Sequence, residues 1–148
     1  MLDKLFDRFK NESVADQAPE EPLELAFAAL LVEAARADET YDEREAVIIE
    51  RALKQRFSLS DAKANELRHK AEAAQAGASD IHRFTKIAKA MSRSEKIELI
   101  EDLWGIVLSD GERDPYEETL IRQICGLIYV DDQDSGAARS RVTARLGQ

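Results

Sequence analysis

Two short acidic stretches carry the residue types and spacing in this sequence that could do chemistry. Residues 36–45 read RADETYDERE and residues 108–117 read LSDGERDPYE, and both fit the pattern D-x-x-x-D-x-x-E. The matched carboxylates are Asp38, Asp42 and Glu45 in the first stretch and Asp110, Asp114 and Glu117 in the second. Three carboxylates so close together, with the carbonyls of a turn, could offer oxygen ligands to Ca²⁺ or Mg²⁺, although the spacing is not that of an EF-hand loop. The same acids could do general acid–base work, but only inside a partly buried pocket that shifts their pKa values. A plainer role competes with both. Asp42 and Asp114 stand where helix N-caps belong, Glu45 and Glu117 follow at capping-box spacing, and Pro115 suits a first helical position. Capping leaves Asp38 and Asp110 unexplained: each is expected in the last turn of the preceding helix, where the dipole disfavours negative charge.

Few other residues compete as sites. The single cysteine, Cys125, lies on an apolar stripe with Ile121 and Ile128 and reads as a buried structural thiol; a nucleophile needs electropositive, accessible surroundings. His69 and His82 fall on separate segments with no cysteine or second histidine at zinc-ligand spacing. No phosphate loop, nucleophile elbow or dinucleotide fingerprint is present. Trp104 reads as core, and Arg139, Arg141 and Arg145 as a solvated helix face, with a small positive patch as the alternative. The sequence therefore indicates no enzyme active site.

The elements that must position the acids are helices. With 148 residues, 34% of them charged, and only 6 Gly and 3 Pro, the composition favours one helical domain over a turn-rich β fold. Leu23, Phe27, Leu30, Leu31 and Ala34 form the stripe of a first core-facing helix. A second starts near Asp42 and buries Ile48, Ile49, Ala52, Leu53 and Phe57. Ser60 can cap a third, Ala-rich helix running to about Gln75. Ser79 or Asp80 can cap a fourth, with Ile81, Phe84, Ile87, Ala88 and Met91. Ser92 and Glu95 form a capping box before a long helix with Ile97, Ile100, Trp104, Val107 and Leu108. Pro115 opens the helix of Leu120, Ile121, Ile124, Cys125 and Ile128, and a weaker helix follows over 132–146. The expected class is all-α: a single-domain bundle of about seven helices spanning 23–148.

A shift of 72 positions places one acidic stretch on the other and extends beyond it: Leu31 falls on Leu103, Ala35 on Val107, Ile49 on Ile121, Leu53 on Cys125 and Phe57 on Tyr129. Two related helical hairpins, packed about a pseudo-twofold axis, are the expected consequence.

Ahead of the domain, residues 1–10 (MLDKLFDRFK) place Leu2, Leu5, Phe6 and Phe9 at helical spacing, and residues 11–22 form a polar, acidic linker holding two prolines. Such a stripe can dock on the domain or a partner chain; membrane contact is disfavoured by its length and two aspartates. The net charge of −9 works against nucleic acid and anionic lipid and favours cations or basic partners. A lone cysteine, the lack of a signal-peptide apolar region and the lack of a transmembrane run make the cytoplasm the expected location.

The motifs resemble one known family. The run Trp104 to Glu117 (WGIVLSDGERDPYE), IRQI from Ile121 and LIYV ending at Val130 are similar to the C-terminal half of TerB-like tellurite-resistance proteins. Ala34 to Asp38 with Asp42 and Glu45 resembles the N-terminal half, and His82, Arg83, Phe84 and Thr85 the central helix, so the likeness covers residues 23–146. It implies an all-helical TerB-like fold, in a family that includes tellurite-resistance and stress-response proteins. Together with the repeat, the acidic charge and the absence of an active site, this leads to the expectation of a stress-associated, non-enzymatic module that binds a protein partner. A related domain occurs in a membrane-linked DnaJ-type cochaperone. The resemblance also implies divalent-cation binding at Asp38, Asp42, Glu45, Asp110, Asp114 and Glu117. Two departures stand out. Glu39 occupies a position usually Gly, and Ser135-Gly136 replaces a bulkier apolar pair, which predicts a loosely held last helix.

Overall fold

The computed structural model describes residues 22–37, 41–78, 80–109 and 115–147, and all regular structure among them is helical. The helices are α1 (Leu23–Arg36), α2 (Glu43–Phe57), α3 (Asp61–Gly77), α4 (His82–Ala88), α5 (Arg93–Val107), α6 (Pro115–Ile128) and α7 (Asp132–Leu146). The all-α reading and the seven helices therefore hold for the described residues.

Most helix starts follow from the residues that precede them. Asp42, Ser60 and Asp131 each accept a backbone N–H three residues on, from Glu45, Lys63 and Asp134. Ser92 and Glu95 make the full capping box, with Glu95 N–H donating to Ser92 Oγ at 3.2 Å and Ser92 N–H to Glu95 Oε1 at 2.9 Å. Each such cap contributes about 1 kcal/mol. The fourth helix differs from expectation: Asp80 Oδ1 takes the His82 N–H at 2.9 Å, while the residue at the cap position is Ile81, with no side-chain cap.

The largest departure from the sequence reading is in α1. A single core-facing stripe is expected there, yet every residue from Ala26 to Val32 is at most 2% exposed, and Ala34 and Ala35 are fully buried. A helix apolar on all sides belongs inside the core, and α1 packs against α2, α3, α4, α5 and α6. Its alanines are what make this possible. Ala26, Ala28, Ala29, Ala34 and Ala35 of α1 are buried, as are Ala64 and Ala71 of the adjoining α3, and small side chains let packed helices lie close. Around this axis Phe27 meets Phe57 edge-on, with ring centroids 5.1 Å apart.

The internal repeat is visible in the packing and is longer than the hairpin the sequence suggests. Leu31 and Leu103, Ala35 and Val107, Ile49 and Ile121, and Leu53 and Cys125 are all at most 1% exposed. The contacts are reciprocal: α1 meets α2 and α3 as α5 meets α6 and α7, and α1 touches α6 as α5 touches α2. The repeated unit thus has three helices, with α4 joining the copies and packing on α1 and α6.

The third helix escapes the 72-residue comparison because the register slips by one at the end of the second. α2 ends with Ser58 left-handed (φ 55°) and α6 with Tyr129 left-handed (φ 67°), and these two residues are 71 apart. In both copies the next N–H closes the turn, from Leu59 to the Lys54 carbonyl at 3.2 Å and from Val130 to the Cys125 carbonyl at 2.9 Å. From there a 71-residue shift applies, pairing the caps Ser60 and Asp131 and the buried residues Ala64 with Ser135 and Ala71 with Val142.

Because α1 is enclosed by five helices, Ala29→Leu should lower stability by about 1–3 kcal/mol through overpacking. Urea unfolding followed by circular dichroism would measure the loss. Ala62→Leu, at an exposed position of α3, should change stability by no more than about 0.5 kcal/mol.

Candidate functional site

Of the six acids singled out by spacing, Asp42, Glu45 and Glu117 lie among the described residues, and Asp38, Asp110 and Asp114 lie outside them. Asp42 is exposed and caps α2 through Oδ1, 3.1 Å from the Glu45 amide nitrogen. Glu45 and Glu117 occupy the third position of α2 and α6 and are 5% and 3% exposed. The capping-box spacing does not by itself foretell this burial, since the equivalent Glu95 on α5 is exposed.

α1 ends at Arg36 and α5 at Val107; Asp38 and Asp110, expected in the last turns of helices, lie outside the described residues.

The described residues flanking the first acidic stretch are held by a polar network that spacing could not reveal. Tyr41, next to Asp42, donates its hydroxyl to Glu72 on α3. Arg68 donates to the same Glu72 carboxylate and, through Nε, to Glu50 on α2 at 2.6 Å. Glu50 also receives Asn65 Nδ2 at 3.0 Å. Arg36 at the end of α1 lies over the Tyr41 ring, 5.3 Å from its centroid, and donates to the Gln75 side chain, which in turn donates to Glu33 at 2.7 Å. Burial is the first cause that raises the Tyr41 pKa to about 12, and the hydrogen bond to anionic Glu72 adds to it.

The second copy uses the same logic with different residues. Arg139 stands 71 positions after Arg68 and reaches Glu118 on α6 with a 3.5 Å contact, as Arg68 reaches Glu50 on α2. Its guanidinium also lies over the Trp104 ring at 4.8 Å. Trp104 Nε1 donates to Ser135 Oγ at 3.1 Å in the interior. The expected looseness at Ser135-Gly136 is therefore corrected at Ser135, which fixes α7 to α5. Gly136 does leave room: a Cβ there would meet nothing within 4 Å, and the residue borders a cleft of about 250 Å³ beside Trp104, Glu118 and Arg139.

A third cluster ties α2 to α5 and α7. Arg56 grips Asp102 with two hydrogen bonds of 2.9 Å, while Glu101 receives Arg141 at 2.7 Å and lies 3.7 Å from Arg145. Burial pushes the Asp102 carboxyl up more than Arg56 pulls it down, and the hydrogen bond to Asp102 raises the guanidinium of Arg56. With Arg139, Arg141 and Arg145 all facing carboxylates, the C-terminal arginines are matched charges on a helix face.

The remaining candidates behave as structural residues. Cys125 is 1% exposed and burial pushes its thiol up, away from the thiolate a nucleophile needs. His69 Nδ1 lies 2.9 Å from the Asn65 carbonyl on its own helix, and His82 Nδ1 is 3.4 Å from Asp80 Oδ1. Among the described residues no three His, Cys, Asp or Glu side chains come together as a metal-holding group. No helix among them is long and apolar enough to cross a membrane.

These features define, over the described residues, an all-α domain made of two three-helix units, each with an acidic sequence stretch before its second helix and a buried glutamate just inside that helix. The model of the family described as tellurite resistance protein TerB matches residues 24–140. The chain belongs to the TerB family. Among curated proteins, and among solved structures, nothing matches the chain.

The phenol of Tyr41 gives the network a signature. Its pKa is raised from 10 to about 12, so its contribution to stability is complete below about pH 10 and is lost as pH rises towards 12. Ultraviolet titration of the wild type minus Tyr41→Phe should show a phenol ionising near 12, or only on alkaline unfolding. An ordinary ionisation near 10 would mean the hydroxyl is not so held.

Proposed function

We propose that this TerB-family domain is a non-enzymatic, stress-associated interaction module of the cytoplasm whose two acidic turns bind a divalent cation. Occupancy of the turns adjusts the surface met by a protein partner. The observation that carries this reading is the matched burial of Glu45 and Glu117, each one turn inside the helix that follows an acidic stretch. The domain encloses a carboxylate at the same helix position in both copies. The stretch before each glutamate supplies further oxygen, from Asp38 and Asp42 in one copy and Asp110 and Asp114 in the other. A set of carboxylates and turn carbonyls suits Ca²⁺ or Mg²⁺. Asp42 commits Oδ1 to its cap, and a carboxylate has a second oxygen to offer.

The non-enzymatic part of the proposal has its own support. The arginine clusters of Arg56, Arg68 and Arg139 join one helix to another, and the ion pairs they make there are what a packed scaffold needs. The cytoplasmic part rests on the lone, buried Cys125, a thiol at ease in a reducing compartment.

Calorimetric titration of Ca²⁺ into the chelator-treated full chain, with Mg²⁺ and Zn²⁺ as competitors, tests the cation. Saturable binding should appear and should weaken at least tenfold in Asp38→Ala/Asp110→Ala, with the helical circular dichroism unchanged. Silence at millimolar Ca²⁺ would return the six acids to capping and turn formation.

A further inference from the structure

Beside the start of the domain runs a groove of about 220 Å³, formed where the first turn of α1 passes α3 and the residue that ends the α2–α3 turn. Its apolar lining is Leu59 and Leu67, both half-buried, and its rim is Glu24, Lys63, Glu66 and Lys70, all exposed. Lys63, Glu66, Leu67 and Lys70 follow the i, i+3, i+4, i+7 spacing of one helix face. The groove therefore runs about 10 Å along α3, two helical turns.

We propose that residues 1–10 of this same chain dock in the groove as an amphipathic helix. These residues lie outside the described ones, and three observations single them out as the occupant. The first is fit. Leu2, Leu5, Phe6 and Phe9 form a stripe on a helix roughly 15 Å long, enough to cover two turns of α3 and seat an aromatic ring between Leu59 and Leu67. The second is charge. The groove rim carries two lysines and two glutamates, and the segment carries Asp3 and Asp7 with Lys4, Arg8 and Lys10, so each sign on the rim has an opposite on the segment. The third is reach. Glu24 is itself a groove residue, so the linker enters beside the site it must return to. Residues 11–22 can extend to roughly 40 Å, ample to bring residues 1–10 back along α3.

The tether also settles the energetics. A short flexible linker supplies an effective concentration on the order of millimolar, so a contact too weak to hold a separate peptide still populates the docked state. Two leucines and a few rim charges need deliver no more than that. Docking covers Leu59 and Leu67 and keeps the apolar stripe of residues 1–10 out of water.

Paramagnetic broadening in the ¹⁵N-labelled full chain tests the proposal. A nitroxide on Ala62→Cys stands at an exposed position of α3 next to the groove residue Lys63, and the buried Cys125 stays unlabelled. The amides of residues 2–9 should broaden several-fold relative to the reduced label, independently of dilution. In Phe6→Asp/Phe9→Asp, which alters no described residue, the broadening should fall to that of the linker. Equal broadening in the wild type and that variant would overturn the proposal. So would broadening seen only between a nitroxide-bearing chain and a separate ¹⁵N-labelled chain, which would place the segment on a second copy. Broadening absent in solution, with residues 2–9 responding only to vesicles of anionic lipid, would assign the segment to a membrane surface and equally overturn it.

Discussion

The burial of α1 on every side is the constraint from which the rest of the architecture follows. A helix that shows almost nothing to solvent along Ala26–Val32 must be enclosed by partners, and in this domain five helices serve. Enclosure at close range requires small side chains at the contacts, and the alanines of α1 and α3 provide them. Hydrophobic burial has no direction of its own, so what orients the surrounding helices is the polar chemistry at their margins.

That chemistry is arranged twice. In each three-helix unit an arginine of the third helix reaches a glutamate of the second, Arg68 to Glu50 and Arg139 to Glu118. Each unit then adds a partner of its own: Tyr41 and Glu72 in the first, Trp104 and Ser135 in the second. The two units thus hold their second and third helices together by the same kind of ion pair, with unlike polar partners beside it.

The family name records resistance to tellurite, and nothing in the side-chain chemistry of the described residues is specific to an oxyanion of that kind. Arg56, Arg68, Arg139 and Arg141 are paired with Asp102, with Glu50 and Glu72, with Glu118 and with Glu101, and the net charge of the chain is −9.

Apolar period, cap residues and the repeated acidic pattern were enough to read the helix class, the number of helices and the start of α7 from the sequence, because these depend on neighbours within a few residues. The membership of Leu53 and Cys125 in equivalent core positions was legible for the same reason. Three things were decided by tertiary structure. The enclosure of α1 was hidden because a run of alanines and leucines satisfies one stripe as well as a whole surface, and only the surrounding helices distinguish the two. The third helix of the repeat was hidden by a one-residue slip at Ser58 and Tyr129, which adopt the left-handed conformation without a glycine to announce it. The burial of Glu45 and Glu117, and the pairing of Arg56 with Asp102, join residues through the packing of separate helices. A linear pattern records which groups are charged; which of them lose their water is fixed only when those helices close on one another.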